Sequence, residues 1–173
     1  MRMQCSCDGG CERIAAFPIV QQSRGYHRAG MADDPYDLRR FVDAQRDDYE
    51  RALAELTRGR KLTHWMWYVL PQLRGLGASP MAARYGIASL DEAKAYLAHP
   101  LLGPRLMACV QALNALPGSD AEDVLGAVDA VKFRSCLTLF LAADPGNGAL
   151  RAALDRYYGG HGDDRTLALL AGG

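Results

Sequence analysis

The stretch DPYDLRRFVDAQRDDYERALAELTRG, Asp34–Gly59, decides the fold class. Asp34-Pro35 supplies an N-cap and a first-turn proline, and Asp37 complements the positive end of the helix dipole. Leu38, Phe41, Val42, Tyr49, Ala52, Leu53 and Leu56 then recur at helical spacing until Gly59 offers a stop. One member of the stripe breaks the pattern. Gln45 falls in the slot after Phe41 and Val42, which turns a neutral amide toward the core side. Burying an amide without partners costs about 1–3 kcal/mol, so Gln45 is expected to meet protein groups or a ligand.

Similar signals continue to the end of the chain. Thr63 is expected to cap a short aromatic helix through Leu70, which Pro71 ends or kinks. Ser79-Pro80 opens a helix that stops at Gly86, and the capping box Ser89-Leu-Asp-Glu92 starts one that runs to about Ala98. After His99-Pro100, the segment from Leu101 to Leu116 carries a stripe through Leu102, Leu106, Cys109, Val110 and Leu113. Ser119-Asp-Ala-Glu122 is a second capping box. Asp129 to Ala143 is apolar nearly all round after Ser135, as a central buried helix should be. Asp144-Pro145 repeats the cap-plus-proline start, Gly159-Gly160 ends that helix, and Asp163 or Asp164 caps a last one finishing near Leu170. No alternating strand pattern and no Asn-Gly hairpin appears, and no repeat recurs at about 30–50 residues. These signals predict an all-α, compact multi-helical single domain of about seven or eight helices over residues 31–173.

The bulk numbers narrow the function classes. A length of 173 residues suits one domain. Twenty lysines and arginines balance twenty aspartates and glutamates, which removes the broad electrostatic attraction of a nucleic-acid binder. No apolar run approaches the roughly 20 residues of a membrane span, and the N-terminus lacks a secretory apolar region. A soluble cytoplasmic protein is expected. Residues 1–30 show no period and read as a disordered or mis-called N-terminal extension, since Met31-Ala-Asp-Asp-Pro has the look of a protein start. The other reading of that segment is a metal site from Cys5, Cys7 and Cys11, with His27 available. Its spacing matches none of the usual structural zinc patterns, so no metal is assigned. Cys109 and Cys136 read as small core residues.

The candidate chemistry gathers in GRKLTHWMWYVLPQ, Gly59–Gln72, and in Lys132-Phe-Arg-Ser135. His64 is a candidate acid or base at neutral pH, though a backbone hydrogen bond would serve it equally. Trp65 and Trp67 are two apart and point to different faces of a helix, so one can line a pocket while the other is core. Lys61 adds a cation, and Gln72 follows Pro71 where its amide could read a ligand edge or hold a turn. Lys132 and Ser135 share a face at the start of a buried helix, as do Arg134 and Thr138. Cations and hydroxyls there suit a phosphate or carboxylate, and also suit charges snorkelling to solvent. No phosphate loop, dinucleotide fingerprint, zinc-protease or serine-hydrolase motif is present, and the sequence names no cofactor. Two readings follow. Gln45, Lys61, Trp65, Trp67, Gln72, Lys132, Arg134 and Ser135 could hold a nucleotide-like or ADP-ribose-like small molecule, with His64 as its catalytic group. Alternatively, the chain is a non-catalytic structural or protein-interaction domain whose aromatics are core. Convergence of Gln45, His64, Gln72 and Lys132 on one cavity separates the two, and dispersal favours the scaffold.

The run GRKLTHWMWYVLPQLRGLG, Gly59–Gly77, resembles domain of unknown function family 1810, a bacterial, all-helical family of which some members carry the label calpastatin. The similarity continues through Ser79-Pro-Met-Ala-Ala-Arg-Tyr-Gly-Ile87, Ala98-His-Pro-Leu-Leu-Gly-Pro-Arg-Leu106, Lys132-Phe-Arg-Ser-Cys-Leu-Thr-Leu-Phe140 and Thr166-Leu-Ala-Leu-Leu170. Tyr68 and Leu70 replace a phenylalanine common in the family and keep its apolar bulk. The resemblance implies a helical fold. It implies no activity and carries over no catalytic residue, and nothing here resembles a disordered protease-inhibitor segment. The helical architecture is similar at fold level to the family that processes ADP-ribose derivatives and cleaves N-glycosidic bonds.

Overall fold

The structure is a computed structural model that describes residues 34–172, so Cys5, Cys7, Cys11, His27 and the readings of residues 1–30 lie outside the described residues. Among the described residues there are nine helices: α1 (Arg39–Thr57), α2 (Met66–Val69), α3 (Pro80–Tyr85), α4 (Leu90–Ala98), α5 (Leu102–Asn114), α6 (Ala121–Leu125), α7 (Ala127–Ala143), α8 (Gly148–Tyr158) and α9 (Asp164–Ala171). No strand accompanies them, and one isolated parallel bridge joins Leu73 to Ile87. The all-α expectation holds. The count exceeds seven or eight because α2 and α6 are separate single-turn elements.

Capping explains where the helices begin, and several boundaries differ from the expected ones. The Asp34 carboxylate accepts the N–H groups of Leu38 at 2.8 Å and Arg39 at 2.9 Å. It therefore caps α1 from upstream, and Pro35 sits in the turn before the helix rather than in its first turn. Ser79 and Ser89 cap α3 and α4 as expected. Asp120, not Ser119, caps α6, and Asn147, not Asp144, caps α8. Asp163 caps α9. Thr63 does not cap α2, because its hydroxyl donates to Glu55 instead. Helix α7 starts two residues before Asp129, directly after Gly126, whose φ of 80° and ψ of 155° suit glycine alone. The ring of His99 caps the start of α5: Nδ1 accepts the N–H of Leu101 at 3.1 Å and of Leu102 at 3.3 Å.

Helix α7 is the central element and packs against α4, α6, α8 and α9, while α1 lies on α5 and α2. Phe133, Cys136, Leu137, Leu139 and Phe140 of α7 are fully buried. An aromatic chain crosses the core, from Phe41 edge-on to Tyr96 at 5.1 Å and from Tyr96 to Phe140 at 5.4 Å. Each such ring contributes about 1.5–3 kcal/mol through burial alone. Cys109 and Cys136 are core residues, and burial pushes the Cys109 thiol up to about 12. Where α4 turns into α5 the backbones touch. A Cβ on Gly103 would lie 2.0 Å from the Leu97 carbonyl oxygen, so only glycine fits. No helix among the described residues is long and apolar enough to cross a membrane.

Candidate functional site

The sequence-derived candidates disperse: Gln45, His64, Gln72 and Lys132 do not converge on one cavity, which counts against a ligand site built from those residues. Gln45 is fully buried, and its amide nitrogen donates to the Tyr68 carbonyl at 2.7 Å and to the Tyr96 hydroxyl at 3.0 Å. Its carbonyl oxygen accepts from Arg105 at 3.3 Å, and the same guanidinium lies 4.4 Å over the Tyr49 ring. The break in the α1 stripe is thus answered by protein groups. Gln72 lies on the segment between α2 and α3, where its backbone carbonyl accepts the Ile87 N–H at 3.0 Å. Its side-chain amide makes no hydrogen bond among the described residues. Arg134 clamps the turn before α9, donating to the carbonyls of His161 and Gly162, each at 2.9 Å. Ser135 bonds back to Val131 within α7.

Lys61, Trp65, Trp67 and Lys132 do come together, around a residue the sequence did not single out. The Asp129 carboxylate receives Lys61 on one oxygen and Lys132 on the other, each at 2.7 Å. Lys61 lies 5.2 Å over Trp65 and Lys132 lies 4.7 Å over Trp67. Burial on its own would raise the Asp129 pKa, but the bonds from Lys132 and Lys61 outweigh it and hold the carboxyl low. Trp65 is core and Trp67 half-buried, as two residues on different faces should be.

The aromatic run itself is organised by Glu55, also missed in the sequence. Oε2 of this buried carboxylate accepts the Leu62 N–H at 2.8 Å, the Thr63 N–H at 3.1 Å and the Trp65 indole N–H at 2.8 Å, while Oε1 accepts the Thr63 hydroxyl at 2.7 Å. Burial alone would raise its pKa. The hydrogen bonds from Leu62, Trp65 and Thr63 prevail and lower it to about 2. His64, one residue before Trp65, is exposed, and its side chain makes no hydrogen bond among the described residues.

The open volume lies elsewhere. A groove of about 710 Å³ is lined by Tyr36 and Asp37 before α1, Arg40 on α1, Arg74, Arg84 on α3, and Glu92 on α4. Arg40 forms its floor and is fully engaged. It donates to the carbonyls of Tyr36 at 2.5 Å, Asp37 at 2.8 Å and Arg84 at 3.0 Å, and to Glu92 at 2.5 Å. Glu92 in turn accepts the Ala88 N–H at 2.7 Å. The tips around the rim are free by contrast. Among the described residues the Arg84 guanidinium has no hydrogen-bond or ion-pair partner, and it lies 5.4 Å from the Tyr85 ring centroid. The Arg74 guanidinium makes one long bond among the described residues, to the Gly86 carbonyl at 3.3 Å. The side chains of Asp37 and Tyr36 have no polar partner among the described residues. Asp37 also has a φ of 51°, the one non-glycine positive φ described. With Arg40 and Glu92 neutralising each other, two guanidiniums face one carboxylate, and the groove keeps a surplus positive charge. No described group of three or more His, Cys, Asp or Glu side chains could hold a metal ion.

Sequence and structure comparisons agree on kinship. A family described as "Protein of unknown function (DUF1810)" matches residues 35–170. The crystal structure of the conserved hypothetical protein Rv1873 from Mycobacterium tuberculosis is 54% identical, covering 80% of this chain and 99% of that one, with a TM-score of 0.78. No curated protein matches.

Proposed function

The chain belongs to the DUF1810 family of proteins of unknown function, and from its own geometry we propose that it binds a nucleotide-like small molecule in the arginine groove. The observation that carries this reading is the gathering around one opening of polar tips from Tyr36, Asp37 and Arg84, which have no polar partner among the described residues, and from Arg74, which has one long bond. The two guanidiniums suit the oxygens of a phosphate, with the planar fork of arginine giving paired hydrogen bonds. A free carboxylate beside them suits a ribose diol, the same pairing that dinucleotide-binding folds use. Tyr36 offers an aromatic face, and Pro35, Ala83 and Ala88 supply apolar wall. The role of Gln45 in this reading is to hold the core behind the site, and Lys61, Trp65, Trp67 and Lys132 act on the opposite problem of fixing the loop before α2.

Calorimetric titration of the full chain with ADP-ribose, adenosine monophosphate, ribose 5-phosphate and inorganic phosphate tests it. Saturable binding should weaken about 10–100-fold in Arg84→Ala and in Arg74→Ala, the loss of one charge-assisted pair. Both variants should unfold at the wild-type midpoint, since neither side chain is buried. Asp37→Asn should weaken the ribose-bearing ligands and leave inorganic phosphate unchanged. Absence of saturable heat from all four ligands refutes the reading, and binding that ignores Arg74 and Arg84 removes it from this groove.

A further inference from the structure

The arginine on the floor of the groove bonds to the backbone of both walls. The Arg40 guanidinium donates to the Asp37 carbonyl at 2.8 Å on one side and to the Arg84 carbonyl at 3.0 Å on the other. Its side chain is only 10% exposed, and Glu92, 3% exposed, anchors it at 2.5 Å. Each wall is held in its own right. On the guanidinium side, Arg40 and Arg74 both reach the Gly86 carbonyl, at 3.4 Å and 3.3 Å. A Cβ on Gly86 would lie 2.9 Å from the Arg74 Cα and 2.7 Å from the Ala82 carbonyl oxygen, so the Arg74 backbone is pressed against the end of α3 that carries Arg84. On the carboxylate side, Asp37 has a φ of 51°, a left-handed conformation that persists in a non-glycine residue where its surroundings over-determine it. Arg40 does this: the Asp37 carbonyl accepts its backbone N–H at 3.2 Å as well as its guanidinium.

We propose that Arg40 is the positioning residue that makes this groove selective for ribonucleotides over deoxyribonucleotides, an inference that rests on the groove reading above. With Arg74 and Arg84 on the phosphate and Asp37 on the ribose, a ligand gains from the second contact only when the two walls stand at its own spacing. Arg40 sets that spacing. Its charge is spent on Glu92 and its other bonds go to main-chain carbonyls, so it acts through Asp37 rather than on the ligand. A carboxylate placed for both ribose hydroxyls rejects the analogue that lacks one of them, because a charge-assisted bond is then lost. Lysine at position 40 would keep the charge opposite Glu92, but its single ammonium lacks the planar fork that spans the two walls.

Calorimetric titration of the full chain with adenosine monophosphate and with 2′-deoxyadenosine monophosphate tests this. The wild type should bind the ribonucleotide about tenfold or more tightly than the deoxy analogue. Arg40→Lys should cut that ratio to about twofold or less, whereas Arg84→Ala should weaken both ligands alike and keep it. In an Asp37→Asn background the ratio is already low, and adding Arg40→Lys should lower it no further, the coupling expected of a residue that works through Asp37. Should Arg40→Lys fail to fold, Glu92→Gln, which keeps the guanidinium and slackens its anchor, carries the test and should lower the ratio about threefold. A ratio that survives in the folded variant, or two ligands that weaken there in equal measure, overturns the proposal. Equal binding of both ligands by the wild type also overturns it and leaves the groove as a phosphate site. Absence of saturable heat from both in the wild type removes the groove reading itself, and this inference with it.

Discussion

Replacing Glu55 is the most informative single perturbation of this fold. Its two oxygens collect four donors from Leu62, Thr63 and Trp65, so Glu55→Ala strands the N–H groups of Leu62 and Thr63 and the buried indole N–H. Each stranded donor costs about 1–3 kcal/mol, and part of the loop can relax to water, so the expected loss is about 3–5 kcal/mol. Glu55→Gln should be milder. Its carbonyl can take the Oε2 position, and its amide can donate to a rotated Thr63 hydroxyl, leaving only the charge assistance lost, at about 1–2 kcal/mol near neutral pH. The pH dependence has a definite sign. The folded carboxyl lies at about 2 against an ordinary 4.5, so its contribution is complete above about pH 4.5 and disappears as pH falls toward 2. By linkage, the gap between wild type and the glutamine variant should largely close between about pH 7 and about pH 3. Urea unfolding followed by tryptophan fluorescence, with Trp65 as the internal reporter, measures all three quantities. A Glu55→Ala loss below about 1 kcal/mol, or a gap unchanged with pH, would refute the reasoning.

Two further perturbations probe the α4–α5 junction. Gly103→Ala forces a Cβ to within 2.0 Å of the Leu97 carbonyl oxygen, and because that neighbour is backbone the helices must separate, for a loss of about 1–3 kcal/mol in urea unfolding. His99 caps α5 through an unprotonated Nδ1 and burial lowers its pKa, so its contribution should be complete above the ordinary 6.5 and fall away as pH drops below it; a thermal-unfolding pH profile should show this slope, and His99→Asn, which keeps an acceptor, should flatten it.

Local signals that the backbone itself obeys were legible in the sequence. Serine before proline at 79–80 and the box at 89–92 cap helices where expected, because a short hydroxyl answers its own N-terminal amides without tertiary help. The start expected at Asp144-Pro145 was wrong: Asn147, three residues on, caps α8 with its side chain on the Leu150 N–H at 3.2 Å. Thr63 is a good cap that tertiary structure diverts to Glu55. The acid itself was invisible, since a glutamate on an amphipathic helix reads as exposed and its partners lie in a loop seven to ten residues on. Gln45 showed up because a neutral amide interrupts an apolar stripe. The groove gave no such signal: Tyr36, Arg40, Arg74, Arg84 and Glu92 come from four separate segments and look like ordinary surface charges until the fold collects them.

Gly126 is the sole residue between α6 and α7, and its backbone conformation leaves both helices free to pivot about one point. Besides the packing of α6 on α7, a residue from far upstream limits that freedom. Lys61 holds the end of α6 through its backbone N–H on Val124 at 2.8 Å and the first turn of α7 through its ammonium on Asp129 at 2.7 Å. The angle between the two helices is therefore inherited from the loop that Glu55 organises, and α6 is the element whose amides should exchange with water first whenever that loop opens.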